Sequence, residues 1–150
     1  MPARPDLRKL LTYKLITLSQ EICAYNQRNA NPTKDIKVPQ LRILSLLYSV
    51  GRCNQAEFIR TTLRRDPGNM SRFISSLIRK GYVKATSDRD DRRIKWLTLT
   101  ARGKRVALAY IARRTVHNVE LVSQFTKSEA KQLEKLLEKA SAFYQAKNDI

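Results

Sequence analysis

Residues 88–103 read DRDDRRIKWLTLTARG. Asp88, Arg89, Asp90, Asp91, Arg92 and Arg93 stand in a row, directly before an alternation of apolar and polar residues. A loop of that charge cannot build a core, so it lies in water or touches something of high charge. A second stretch, residues 67–80, reads PGNMSRFISSLIRK. With ~100° between successive residues of a helix, Phe73, Ile74, Leu77 and Ile78 fall within roughly 80° of Met70. Gly68, Arg72, Ser75, Ser76 and Arg79 fall opposite, flanked by Asn69. One side is core. The other is small, hydrogen-bonding and cationic, carries no acid, and so suits an anionic partner.

The whole chain has the same bias. It has 150 residues and a formal net charge of +17. Residues 52–105 alone hold 15 Lys and Arg against 5 Asp and Glu. Concentrating one sign in one segment speaks of partners rather than of fold. Nucleic acid is the leading partner, and an anionic membrane surface comes second. The membrane reading lacks a basic amphipathic helix with a bulky aromatic face. Catalysis lacks its parts too: there is no Gly-rich phosphate loop and no nucleophile elbow. The acids that cluster do so at 88–91, before the second strand, or along KQLEKLLEK (131–139), an ion-paired helix face. Two cysteines, Cys23 and Cys53, and one histidine, His117, do not make a metal site, and no cofactor is expected. The first twenty residues contain no apolar run of signal-peptide length. The stretch ILSLLYSV (43–50) is too short to cross a bilayer. The expected location is therefore the cytoplasm, with reduced thiols.

The elements that must position these residues follow from periodicity. Leu7, Leu11, Leu15, Leu18, Ile22 and Tyr25 form one stripe of a long helix over 6–28. NANPTKD (29–35) is a turn, and Pro39 suits the start of a helix that Gly51 ends. Apolar residues on more than one side, from Leu41 to Val50, predict that this helix is buried. Asn54 caps a short helix at 55–64 that turns Phe58, Ile59 and Leu63 inward, with Glu57 reaching back. Asp66 and Pro67 open the next helix and Gly81 closes it. YVKATSD (82–88) and IKWLTLT (94–100) read as two strands of a hairpin with the charged row at its tip. Thr100 caps a helix running to about residue 123, and TKSE (126–129) is a full capping box before the last helix. The fold class is thus mostly α with a small two- or three-stranded β-wing, a winged helix-turn-helix with extra helices at both ends. Their spare apolar stripes are best buried against a second copy of the chain.

Ser71-Arg72, Leu77 and Arg79-Lys80-Gly81 at the polar-faced helix, with Asp88, Asp91-Arg92-Arg93, Leu99-Thr100 and Gly103 at the hairpin, resemble the MarR (multiple antibiotic resistance regulator) family of bacterial transcription factors. The match in order and spacing covers about residues 39–103, and the terminal helices match in type and position. Arg64-Arg65 departs from the pattern, because the family often has a Gly after the first of the paired helices. The resemblance implies one MarR-like domain over 1–150, with a winged lobe at 38–103 and dimerisation helices at 6–30 and 104–150. It implies a homodimer that places residues 67–80 in a major groove of double-stranded DNA and the wing, 87–94, in the adjacent minor groove. Asn69, Ser71, Arg72, Ser75, Ser76, Arg79, Arg89, Arg92, Arg93 and Lys95 are then the candidate DNA contacts. Arg92 and Arg93 suit a narrow minor groove. Asp88, Asp90 and Asp91 pair with the arginines and hold the loop, with Asp91 and Arg93 the leading pair.

The implied activity is a ligand-responsive repressor, cytoplasmic and nucleoid-associated, that releases DNA when a small aromatic or phenolic acid binds. Tyr13, Lys14, Arg42 and Tyr110 are the candidate effector contacts. One alternative is an architectural protein that coats nucleic acid without sequence preference. Another is an oxidant sensor acting through Cys23 or Cys53, the latter beside Arg52, whose charge favours a thiolate.

Overall fold

The computed structural model describes residues 6–62 and 67–148. A 3-10 turn at Leu7–Lys9 precedes α1 (Leu11–Tyr25), which runs on into a π-turn at Asn26–Ala30. Then follow α2 (Val38–Val50), β1 (Cys53–Asn54), α3 (Gln55–Thr62), α4 (Pro67–Arg79), β2 (Val83–Ser87), β3 (Lys95–Leu99), α5 (Ala101–Val122) and α6 (Lys127–Asn148). The expected single helix over 6–28 is interrupted at Leu10, whose backbone is extended. The Asp6 carboxylate accepts from the Arg8 amide at 3.2 Å and closes the first turn separately.

The chain divides into two units, residues 1–114 and 115–150. In the first, α2 is buried on several sides, as its sequence predicts: Leu41, Ile43, Leu44 and Leu47 are fully buried. Ile74 and Leu77 of α4, Phe58 of α3 and Leu97 of β3 join them in one core. The sheet is antiparallel in the order β1-β3-β2. Two residues suffice for its third strand, because Cys53 pairs with Leu97 and Asn54 with Trp96. The Asn54 side chain then accepts from the amides of Ala56 and Glu57 at 2.9 and 3.2 Å and caps α3. The expected inward Leu63 and the Asp66 cap lie outside the described residues. α1 has no buried residue, and Leu7, Leu11, Ile16 and Leu18 are exposed.

Gly81 ends α4 with a positive φ of 74°. The Tyr82 amide bonds to Leu77 O and the Gly81 amide to Ile78 O, both at 2.9 Å. That is the double closure that lets a chain leave a helix at a sharp angle, and glycine reaches the left-handed backbone without a Cβ clash. The polypeptide therefore passes at once from α4 into the sheet.

In the second unit, Thr126 and Glu129 form the capping box in full. The Glu129 amide bonds to Thr126 Oγ1 at 3.2 Å, and the Thr126 amide bonds to Glu129 Oε2 at 2.8 Å. Val116, Val119, Leu121, Leu133, Leu136, Leu137 and Phe143 are all exposed in this unit.

Candidate nucleic-acid interface

α4 is amphipathic in the sense its sequence dictates. Ile74 and Leu77 have no exposed surface, while Gly68, Asn69, Ser71, Arg72, Ser75 and Arg79 are exposed. Arg72, Ser75 and Arg79 follow an i, i+3, i+7 spacing, so they lie in one row, with the two guanidinium-bearing positions about 10 Å apart along the axis. Ser76 is turned from this row. It is half-buried, and its Oγ accepts from Gln40 Nε2 at 3.2 Å. Gln40, itself buried, also takes the Lys37 amide at 3.1 Å. The side chain of Gln40 thus ties the start of α2 to the middle of α4.

The wing is held by its acids, though by different partners from those the sequence suggests. Asp91 pairs with Arg93 as expected: Oδ1 accepts from Nε at 3.1 Å and from the Arg93 amide at 2.9 Å, and Oδ2 from Nη2 at 3.3 Å. Asp88 does not take an arginine. Its Oδ2 accepts from the Trp96 indole Nε1 at 2.7 Å, and its Oδ1 from the amides of Asp90 and Asp91 at 3.0 and 3.4 Å. The reason is register. Thr86 faces Trp96 across the ladder, so a side chain leaving the end of β2 meets the indole before it meets the loop arginines. Asp90 enters through its backbone N–H. The indole bond, then the loop amides, holds the Asp88 carboxyl below its usual range. Arg93 does the same for Asp91.

The indole ring also carries Arg52 over its face, with the guanidinium carbon 4.4 Å from the ring centroid. Lys95 Nζ donates to Ser87 Oγ at 2.6 Å across the strands. Arg89, Arg92 and Arg93 are exposed at the tip. The result is a shaped loop presenting cations whose backbone is fixed by two carboxylates.

A second network joins parts of the chain far apart in sequence. Asp35 Oδ2 accepts from Arg102 Nη2 at 2.8 Å and from the Tyr82 hydroxyl at 3.1 Å. Arg102 Nη1 donates to Lys80 O at 3.0 Å, and Lys80 Nζ donates to Asp35 O. Nothing in the sequence pattern pointed to Asp35, Tyr82 or Arg102. Their separations of 20 and 67 residues leave no local signature. Gly103 did carry a signal, as part of the motif. A Cβ there would come within 2.0 Å of Tyr82 O.

The four effector candidates are in unlike places. Tyr13, Lys14 and Arg42 are exposed. Tyr110 is buried, and its hydroxyl has no hydrogen-bond partner among the described residues. None of the four lines the cavity of about 450 Å³ bounded by Gln27, Arg28, Asn31, Pro32, Thr33, Lys34 and Arg113. Cys53 does not have the activated thiol that a neighbouring Arg52 suggested. Burial, and then the charge of Glu57, pushes its pKa up, and the guanidinium of Arg52 lies over the Trp96 ring. Cys23 is exposed. Among the described residues no group of three or more His, Cys, Asp and Glu is placed to hold a metal ion. No helix among them is long and apolar enough to cross a membrane.

Comparison with known proteins places this geometry. Residues 36–95 match the model of the MarR family. No curated protein sequence matches the chain. Among solved structures, the Staphylococcus aureus MepR–DNA complex superposes with a TM-score of 0.81 at 24% identity, over 90% of this chain and 98% of that one. A mutant of Escherichia coli MarR complexed with operator DNA gives 0.76 at 22%, over 91% and 99%. The PcaV transcriptional regulator of Streptomyces coelicolor, in complex with its natural ligand, gives 0.77 at 21%, over 93% and 97%.

Proposed function

We propose that the chain, whose residues 36–95 match the model of the MarR family, is a sequence-specific, double-stranded-DNA-binding transcriptional regulator. It works as a homodimer that sets α4 of each protomer into a major groove and each wing into the flanking minor groove. The observation that carries the reading is the pairing of two surfaces in one lobe: the acid-free row Arg72, Ser75 and Arg79 on α4, and a wing whose arginines are presented by an Asp91- and Asp88-ordered loop.

Each surface has its own physics. Arg72 and Arg79 offer bidentate donors to guanine, on the order of 1–3 kcal/mol of discrimination apiece. The short side chains of Ser71 and Ser75 let the helix approach, and Asn69 adds a polar contact near its first turn. Ser76 reaches a base only by giving up its bond with Gln40. Arg89, Arg92, Arg93 and Lys95 neutralise phosphates or enter a narrow minor groove, where the potential is most negative. MepR and MarR, which share the fold, are solved on DNA.

The exposed apolar side chains of α1, α5 and α6 supply the surfaces that dimerisation buries. A repressor of this design releases DNA on binding a small aromatic or phenolic acid, with Tyr13, Lys14, Arg42 and Tyr110 as its candidate contacts; PcaV is solved with its natural ligand.

Selection of duplexes from a random-sequence library, followed by competition against a scrambled duplex, tests the function. The regulator enriches one motif and holds it at least about 10³-fold more tightly than the scrambled duplex. A sequence-independent coat, which the net charge of +17 would permit, enriches none.

A further inference from the structure

We infer that Asp35 and Arg102 are positioning residues that set the angle of the recognition helix, and so its specificity, without touching DNA. The inference rests on the DNA-binding reading above.

Four segments meet at this pair: the turn before α2 through Asp35, the residue after α4 through Lys80, the residue before β2 through Tyr82, and the first turn of α5 through Arg102. Arg102 Nη2 also donates to the Tyr82 hydroxyl at 3.0 Å, and the guanidinium carbon lies 4.3 Å from that ring centroid. The guanidinium is therefore fixed in direction by a carboxylate, a backbone carbonyl, a hydroxyl and an aromatic face.

Two facts argue that this is not ordinary stabilisation. The pair is half exposed, with side-chain exposures of 50% and 53%, and exposed ion pairs add little to folding. Arg102 also stands in the first turn of α5, where the helix dipole disfavours a cation and where no acid is present. What the cluster does is geometric. Gln40 holds the middle of α4 from the α2 side through Ser76. The Asp35–Arg102 pair holds its last turn from the α5 side, by way of both the carbonyl and the ammonium of Lys80. Removing it leaves α4 folded against its core but free to swing about the Gln40 contact.

A swing of this kind has a distinctive readout. Base contacts along Arg72, Ser75 and Arg79 need an aligned helix, whereas phosphate attraction does not. The test compares the full chain with Arg102→Met, Asp35→Asn and the double variant. Two probes are used: the duplex that the wild-type protein enriches from a random library, and a scrambled duplex of equal length. Each single variant is expected to lose about tenfold in affinity for the enriched duplex. Affinity for the scrambled duplex and the salt slope stay at wild-type values. The loss in the double variant is smaller than the sum of the two single losses, because the Asp35–Arg102 bond is removed by both.

An equal loss on both duplexes, with the salt slope reduced by about 1, would make Arg102 a phosphate contact and overturn the inference. So would unchanged affinity for the enriched duplex. If Arg102→Met does not fold, Arg102→Lys decides, since it keeps the charge and loses the planar fork that spans Asp35 and Lys80 O: a selective loss on the enriched duplex supports the inference and no loss overturns it. A wild-type protein that enriches no sequence takes down the DNA-binding reading, and this inference with it. An enriched motif with indifferent variants takes down the inference alone.

Discussion

Replacing Gly103 by alanine puts helix propensity against a steric contact. Gly103 stands in the first turn of α5, and glycine costs about 1 kcal/mol relative to alanine inside a helix. On propensity alone the substitution stabilises. The surroundings reverse the sign. The new Cβ would stand 2.0 Å from Tyr82 O, 3.0 Å from Tyr82 C and 3.3 Å from Leu99 Cδ2. The first two are backbone atoms and cannot rotate away. Overpacking of this kind costs typically 1–3 kcal/mol, with the upper end of about 3 appropriate where backbone must move. The oxygen that is displaced also accepts from the Thr100 amide at 3.1 Å and from Thr100 Oγ1 at 3.2 Å. Weakening that pair adds about 1 kcal/mol. After subtracting the propensity gain, the net loss is on the order of 2–4 kcal/mol. For a chain of this length it lowers the melting temperature by roughly 5–15 °C. Thermal unfolding followed by far-ultraviolet circular dichroism measures it. A Gly103→Ala protein that melts at or above the wild-type temperature would refute the reasoning, because it would mean that α5 and β2 separate at no cost.

Three further outcomes follow from the wing and the thiols. Arg93→Ala weakens binding to enriched and scrambled duplexes alike and lowers the salt slope by about 1 in fluorescence-anisotropy titrations; an unchanged slope removes the wing from the interface. Asp88 has a lowered pKa in the folded wing, chiefly through the Trp96 indole. Its carboxylate therefore contributes stability that is in full present above the unfolded value of about 3.9 and is lost as pH falls through the folded value. Fluorescence of Trp96, the only tryptophan, reports that loss below about pH 4. Asp88→Asn abolishes the transition, and a wild-type midpoint well above pH 4 contradicts the bond. Cys53, with its raised pKa, alkylates with iodoacetamide more slowly in the native protein than in the unfolded chain, whereas faster native labelling would restore the sensor reading for this residue.

Much of the fold was legible because its signals are local. Met70, Phe73, Ile74, Leu77 and Ile78 mark the inner side of α4 by period alone, and Gly81 marks its end. The hairpin announces itself by alternation on both sides of a charged row, and Thr126 with Glu129 spells out a cap in four letters. The resemblance supplied the Asp91–Arg93 pair. What escaped was set by pairing at a distance. β1 is two residues long and exists because Leu97 and Trp96 lie opposite, so no periodicity can reveal it. Asp88 chose an indole over an arginine because the strand register brought Trp96 near. Ser76 looked equivalent to Ser75 on a wheel, yet Gln40, 36 residues away, holds it. Asp35, in a turn that reads only as a turn, meets Arg102 across 67 residues. The effector candidates were chosen by polarity on neighbouring elements, and polarity does not say which way a side chain faces: Tyr110 is buried and Tyr13 is exposed.

Hydroxyl-radical footprinting of the enriched duplex bears most directly on the central claim, that two copies of this chain read DNA with α4 and the wing. The account predicts two protected windows related by a twofold axis, their centres separated by about 10–10.5 base pairs or a multiple of it, each flanked by minor-groove protection that Arg93→Ala erases. Protection spread evenly along the duplex, or a single window from a single chain, would contradict it.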